Sequence, residues 1–182
     1  MKVNLTCLKI LISMFLLSLP CSGILYAQTP VGQKLPLNMK LSVVGGKTKK
    51  TLSDVLKDHD LNIVQFWASW CVGCGEIMAQ LAQRTKTDTS IGYASISIDE
   101  DMPTALRYFK AKPDEVKAAL PNSLLDKGGE KVATPLGIKS LPALLITGKD
   151  GIVKEHVVGH PKPEELTKLI AKIRDSKPTK GL

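Results

Sequence analysis

Residues 66–76 read FWASWCVGCGE, and this stretch decides the fold that the sequence predicts. Just before it, an apolar run from Ile63 to Trp67 is broken only by Gln65, which is typical of a buried strand. Just after it, four apolar residues recur at the spacing of one helical face: Ile77, Met78, Leu81 and Ala82. The sequence therefore predicts a buried strand that leads directly into a C-x-x-C pair at the start of a helix.

The position of Cys71 and Cys74 favours thiol chemistry. The first turn of a helix has free N–H groups and a partial positive charge, and both favour a thiolate. The thiolate is the form of cysteine that attacks disulfides. We expect Cys71 to be exposed and to act as the nucleophile. We expect Cys74, one turn later and more buried, to resolve the mixed disulfide that forms.

The rest of the chain alternates between strand and helix patterns. Strands are predicted at residues 37–43, 91–98, 143–147 and 152–158, the last two joined by a hairpin turn at 149–151. Helices are predicted at residues 52–56, after Pro103, at 113–120 and from Pro163 onward. This order indicates an α/β protein whose sheet carries helices on both faces.

The N-terminal segment has the pattern of a secretory signal. An apolar block from Ile10 to Leu19 follows a basic start, and it is too short to span ~30 Å of hydrocarbon. We expect cleavage after Ala27; the alternative is an uncleaved anchor. The predicted organisation is a signal peptide at 1–27, a linker at 28–36, one domain at 37–175 and a flexible basic tail at 176–182.

Removal of the signal would change the cysteine count and the charge. Cys7 and Cys21 would leave with it, so that Cys71 and Cys74 would be the pair that remains. Two lysines would also leave, lowering the net charge from +8 to +6. A bridge across two residues closes too small a loop to brace a fold. The pair therefore serves chemistry or metal binding.

The motif F-W-A-S-W-C-x-x-C after an apolar strand resembles the active-site segment of the thioredoxin superfamily. The segments GKTKKTLSDVL and LGIKSLPALLITGKDGIV resemble its TlpA/ResA branch of exported thiol–disulfide oxidoreductases, and the likeness runs from about Leu35 to Ile173. The resemblance implies a thioredoxin-like fold: a central mixed β-sheet with helices on both faces, preceded by an N-terminal strand or hairpin. By the same match, Pro142 is a cis-proline facing the cysteines.

The resemblance also implies where a client protein binds. Leu141 would offer its backbone to the client beside Pro142. We expect Trp67 to lie in the core and Trp70 to pack beside the cysteines and shield them. Trp70, Leu141 and Pro142 are therefore the candidate substrate-binding residues.

Three positions depart from the pattern of the branch. Val72-Gly73 stands where the branch usually has proline before the second cysteine. Gln65 replaces the buried acid of thioredoxin itself, and Ile77 replaces a glutamate that is common in the branch. Glu76, one residue earlier, is the candidate proton relay; the alternative is a solvated first-turn glutamate.

The predicted function is therefore an exported thiol–disulfide oxidoreductase that works as a reductase, with oxidation and isomerisation left open as directions. The Cys71–Cys74 disulfide is the redox group, and no organic cofactor is expected. The expected partners are exported proteins with thiols or disulfides and a membrane protein that donates thiol electrons. Apocytochrome c, copper-site proteins and misbridged exported proteins are compatible clients.

Other functions fit the sequence less well. Delivery of Cu(I) by the two cysteines and a redox-inert binding module are the alternatives. Structural zinc with His156 and His160 is disfavoured, because 81 residues separate Cys74 from His156. Nucleic-acid binding is not expected, because the basic residues are dispersed apart from a run at 47–50, and no known nucleic-acid motif is present.

Overall fold

The computed structural model describes residues 30–56 and 59–175, which form seven strands and five α-helices. The strands are β1 (Lys40–Val43), β2 (Lys49–Thr51), β3 (Leu61–Trp67), β4 (Ile91–Ser97), β5 (Ser123–Leu125), β6 (Ala143–Gly148) and β7 (Val153–Val158). The helices are α1 (Leu52–Leu56), α2 (Cys74–Thr87), α3 (Met102–Lys110), α4 (Asp114–Lys117) and α5 (Pro163–Asp175). Within the described residues no helix is both long and apolar enough to cross a membrane. The predicted signal peptide and basic tail lie outside them.

The strands form one mixed sheet in the order β2-β1-β5-β4-β3-β6-β7. The central strands β5, β4 and β3 are parallel, whereas the remaining pairs are antiparallel. The β1–β2 hairpin joins the sheet at one edge. The predicted thioredoxin-like fold, with its N-terminal hairpin and central mixed sheet, is confirmed.

Alternating residues of the buried strands supply two cores, one on each face of the sheet. Ile63 and Trp67 of β3 face the core that α2, α3, α4 and α5 cover. Val64 and Phe66 of the same strand face the core covered by α1 and by the segment around Val132. This two-residue period is expected of strands buried on both faces. The helix that follows β3 therefore packs on the face to which Ile63 and Trp67 point.

Two short strands were not predicted, and one predicted strand is shorter. β2 is a lysine-rich edge strand of three residues, a composition that gives little strand signal but is common at sheet edges. β5 has three residues and takes its register from β4. β1 begins at Lys40 because the backbone N–H of Met39 donates to the Pro36 carbonyl (2.9 Å), which places a turn at 36–39.

The described part of the predicted linker packs onto the domain. Leu35 is only 2% exposed, and its backbone N–H donates to the carbonyl of Gly151 (2.9 Å). Lys34 forms a β-bridge with Ile152. From Pro30 onward the chain is therefore held against the start of β7.

Candidate active site

Cys71 and Cys74, called the redox pair below, are joined by a disulfide directly after β3. Their α-carbons are 5.7 Å apart. Cys74 is the first residue of α2, so Cys71 lies in the turn before the helix rather than at its start, where we expected it. Cys71 is 7% exposed and Cys74 is 0% exposed. The expectation of an exposed Cys71 is therefore wrong, although Cys71 is the more accessible of the two.

The helix α2 begins at Cys74, so its positive N-terminal end lies at the redox pair. Gly73 caps it in a left-handed conformation (φ 81°) and offers no side chain to the first turn. The N–H of Gly75 donates to the hydroxyl of Tyr108. Burial raises the pKa of Tyr108, the bond from Gly75 opposes that rise, and the charge of Asp99 adds to it. The positive end of α2 therefore meets a neutral phenol and the sulfur atoms, where it would favour a thiolate.

A neutral pair of side chains supports Cys74 from inside the sheet. The side-chain amide of Gln65 donates to the carbonyl of Cys74 (2.9 Å), and the hydroxyl of Tyr93 donates to the Gln65 amide oxygen (2.8 Å). Both side chains are buried, and burial raises the pKa of Tyr93 well above its usual value. Gln65 therefore holds the backbone but does not exchange protons.

The carboxylate nearest in sequence lies on the outside of the helix. Glu76 is exposed in the first turn of α2, whereas Ile77 is buried in the core. Met78 is also fully buried, as predicted for a core residue. The relay role of Glu76 stays a prediction, and its side chain lies on the solvent side of the turn that holds Cys74.

The Leu141–Pro142 peptide bond is cis, as predicted. Pro142 directly precedes β6, and Ala143 pairs with Phe66, so Pro142 lies at the end of β3 where the redox segment begins. The carbonyl of Pro142 accepts the N–H of Gly159 (2.9 Å), which fixes the loop after β7 against it.

The two tryptophans have different surroundings. Trp67 is fully buried and packs on Tyr108 and Phe109, with ring centroids 4.9 and 5.2 Å away, as expected of a core residue. Trp70 is 68% exposed, and that it packs beside the cysteines and shields them stays a prediction. With Val72, which is 89% exposed, Trp70 forms an apolar surface on either side of Cys71.

Asp99 is a buried residue of the site that the sequence analysis missed. Its carboxylate accepts the Ser69 N–H (3.0 and 3.1 Å), the Ser69 hydroxyl (2.7 Å) and the Ser97 hydroxyl (2.7 Å). Asp99 thereby holds the segment that leads from β3 to Cys71. The signal for it was present, because Asp99 follows β4 and the ends of neighbouring parallel strands meet at one edge of the sheet.

The two histidines of the C-terminal region, His156 and His160, have different surroundings. His156 is in β7 opposite Leu145, and burial lowers its pKa. His160 is in the loop after β7, and its imidazole lies directly against Gly73. The residues that the structure describes contain no group of three or more His, Cys, Asp or Glu side chains placed to hold a metal ion.

A mixed sheet of this order, with a C-x-x-C disulfide at the start of α2 and a cis-proline ahead of β6, defines the class of thioredoxin-like thiol–disulfide oxidoreductases. A family model described as the AhpC/TSA family matches residues 31–156. A thioredoxin of Streptomyces clavuligerus is 33% identical over 96 residues, covering 53% of this chain and 83% of that protein. The chain therefore belongs to the AhpC/TSA family, within the thioredoxin superfamily.

Solved structures confirm the fold at lower identity. A secreted Mycobacterium tuberculosis disulfide oxidoreductase homologous to E. coli DsbE superposes with a TM-score of 0.59 at 16% identity, covering 75% of this chain and 96% of that one. A thiol-disulfide oxidoreductase from Bacteroides fragilis gives a TM-score of 0.61 at 20% identity, covering 78% and 99% of the two chains.

Proposed function

We propose that this protein is an exported thiol–disulfide oxidoreductase that reduces disulfides in client proteins. One observation carries the proposal: Cys71, 7% exposed, lies beside a fully buried Cys74 and between the exposed side chains of Trp70 and Val72. This arrangement lets a client reach one sulfur atom while the other is kept for the second step.

The exchange takes place in two balanced steps. The Cys71 thiolate attacks one sulfur of a client disulfide, and the other client sulfur leaves with the electron pair and takes up a proton. Cys74 then loses its proton and attacks the Cys71 sulfur of the mixed disulfide, which releases the second client thiol. The client gains two electrons and two protons, and the redox pair becomes the disulfide.

Client binding involves the residues around this pair. Trp70 and Val72 supply apolar contact area, and the backbone of Leu141 beside Pro142 supplies hydrogen bonds to an extended peptide. The sequence at residues 1–27 and the secreted structural neighbour support export. An exported reductase must regain two electrons per turnover, for which we propose a membrane protein that carries thiol electrons outward.

Substitution of each cysteine tests the two roles separately. We expect Cys71→Ser to abolish insulin reduction. We expect Cys74→Ser to accumulate mixed disulfides with clients, detected on non-reducing gels and by mass spectrometry. Full activity of Cys71→Ser would contradict the mechanism. The N-terminal mass of protein recovered from outside the cytoplasm tests cleavage after Ala27.

The reduction potential of the redox pair tests the direction. Protein equilibrated in glutathione buffers would be alkylated and its thiols counted. A potential near −270 mV, about that of thioredoxin, is expected of a reductase, whereas a value near −120 mV would indicate an oxidant. Tight Cu(I) binding without a reversible couple would replace the enzyme with a copper carrier.

A further inference from the structure

The imidazole of His160 occupies the space that a side chain on Gly73 would need. A Cβ atom built on Gly73 would lie 1.5 Å from Nε2 of His160, 1.9 Å from Cε1 and 2.8 Å from Cδ2. The ring therefore lies against the Gly73 backbone, inside the C-x-x-C sequence. Because Gly73 has φ 81°, a conformation that favours glycine, both the backbone and the contact suit a residue without a side chain.

Hydrogen bonds hold the loop that carries His160 on both sides of this residue. Gly159, the preceding residue, donates its N–H to the carbonyl of the cis-proline Pro142 (2.9 Å). Lys162, two residues later, donates its N–H to the carboxylate of Glu165 at the start of α5 (3.0 Å). His160 thus lies on a short loop held on both sides. Its place over Gly73 follows from that loop rather than from the side chain alone.

We propose that His160 is a further functional residue of the redox site, whose imidazole, held over Gly73, stabilises the thiolate of Cys71. Gly73 is bonded to Cys74 and is two residues from Cys71, and the two cysteine α-carbons are only 5.7 Å apart. A positive charge on His160 would therefore lie against the backbone that joins the two cysteines. Histidine is the side chain that gains such a charge between about pH 5 and 8.

The inference rests on the redox pair of the proposed function and adds a residue to it. Two-electron reduction of the disulfide takes up two protons and gives two thiols. Cys71 then releases one proton to solvent and becomes a thiolate beside the imidazolium. When the thiolate attacks a client disulfide, its electron pair forms the new S–S bond, and the imidazolium no longer has a partner. His160 therefore favours the reduced state over the disulfide.

Other charged groups surround the same position. Glu76 lies in the first turn of α2 and borders a groove with Gly73, Tyr108 and Lys112. Lys162 and two glutamates, Glu164 and Glu165, follow His160 in the chain. A carboxylate at Glu76 opposes a thiolate but attracts an imidazolium. The variant Glu76→Gln therefore separates its contribution from that of His160.

The test is a pH titration of thiolate absorbance in the reduced full-length protein. We expect His160→Ala to raise the pKa of Cys71 by about one unit, because the thiolate would lose a nearby positive charge that favours it. The equilibrium between the reduced and disulfide states should shift about tenfold toward the disulfide, or about 30 mV. His160→Gln should behave like the alanine variant, because it keeps a polar side chain but has no charge.

Two further variants make the result specific. His59→Ala removes a histidine that lies beside Gly92 at the opposite end of β4, and it should change neither quantity. Gly73→Ala should raise the pKa of Cys71 in the native background by displacing the imidazole. In the His160→Ala background it should have a smaller effect, since the ring is already gone.

The possible outcomes separate the inference from the proposed function. A reversible couple that His160→Ala leaves unchanged in potential and in the pKa of Cys71 would overturn the inference alone. A His160→Gln variant equal to the native protein would also overturn it, because size rather than charge would then matter. Absence of any reversible couple in the native protein would overturn the proposed function.

Discussion

Asp99 and Asp126 are two buried aspartates that follow neighbouring parallel strands, β4 and β5, at the same edge of the sheet. Asp99 is 4% exposed and Asp126 is 0% exposed. Asp99 accepts hydrogen bonds from two serines, Ser69 and Ser97. Asp126 accepts three backbone N–H groups, from Lys131 (2.9 Å), Val132 (2.9 Å) and Ala133 (3.0 Å). Each carboxylate therefore accepts hydrogen bonds from a segment that lies outside the helices and strands, and holds that segment in place.

The difference lies in what each loop carries. The donors of Asp99 include the backbone of Ser69, two residues before Cys71, so Asp99 sets the position of the redox pair. The donors of Asp126 lie in a segment whose side chains Val132 and Ala133 cover one core of the sheet. The same residue type in the same topological place thus supports chemistry in one case and packing in the other.

Replacement of Asp126 should give the largest loss of stability. Asp126→Ala would leave three backbone N–H groups without their acceptor, two of them buried, and we expect the free energy of unfolding to fall by about 3 kcal/mol. Urea denaturation measures this change. The reduction potential of the folded variant should equal that of the native protein. A shifted potential would show that the Asp126 loop also reaches the redox pair.

Replacement of Asp99 should cost less stability but more activity. Asp99→Ala should lower the free energy of unfolding by about 2 kcal/mol, because water can reach the partly buried Ser69 segment. We expect the rate of insulin reduction to fall about tenfold, because the segment before Cys71 would lose its fixed position. Rates are compared at equal concentrations of folded protein. An equal slowing by Asp126→Ala would remove the distinction between the two aspartates.

The sequence predicts the order of the main elements because their signals are local. The apolar run of β3, the helical spacing after Cys74 and the hairpin at β6–β7 are each contained within about a dozen residues. The resemblance to a known family adds the cis-proline at Pro142. These predictions agree with the structure, in which the apolar residues of the strands are divided between the two cores, one on each face of the sheet.

The missed features depend on contacts between distant parts of the chain. Asp99 meets Ser69 across 30 residues, and His160 meets Gly73 across a much longer separation. Neither contact leaves a periodic pattern in the sequence. The expectation of an exposed Cys71 was wrong for a related reason, since the exposure of a residue in a turn depends on its neighbours in space.

Gln65 extends the comparison from the edge of the sheet to its interior. Gln65→Leu should lower the free energy of unfolding by about 1.5 kcal/mol, because a neutral donor and acceptor are lost beneath Cys74. Tyr93→Phe is the matched control; it removes one of the two bonds and should cost about 1 kcal/mol. Because burial raises the pKa of Tyr93, neither loss should vary between pH 5 and 8. A loss that grows with pH in that range would indicate an ionised group in this layer.

The smallest expected effect comes from Ser69→Ala, which separates the backbone and the hydroxyl hydrogen bonds that Asp99 accepts from Ser69. Ser69→Ala removes the hydroxyl that donates to Asp99 (2.7 Å) but keeps the backbone N–H bonds to the same carboxylate. We expect a loss of about 1 kcal/mol in urea denaturation and a rate of insulin reduction within about twofold of the native protein, because the backbone bonds alone keep the segment in place. If Ser69→Ala instead slows exchange as much as Asp99→Ala, the hydroxyl rather than the backbone positions Cys71. In that case Asp126, but not Asp99, would hold its loop through backbone N–H donors alone.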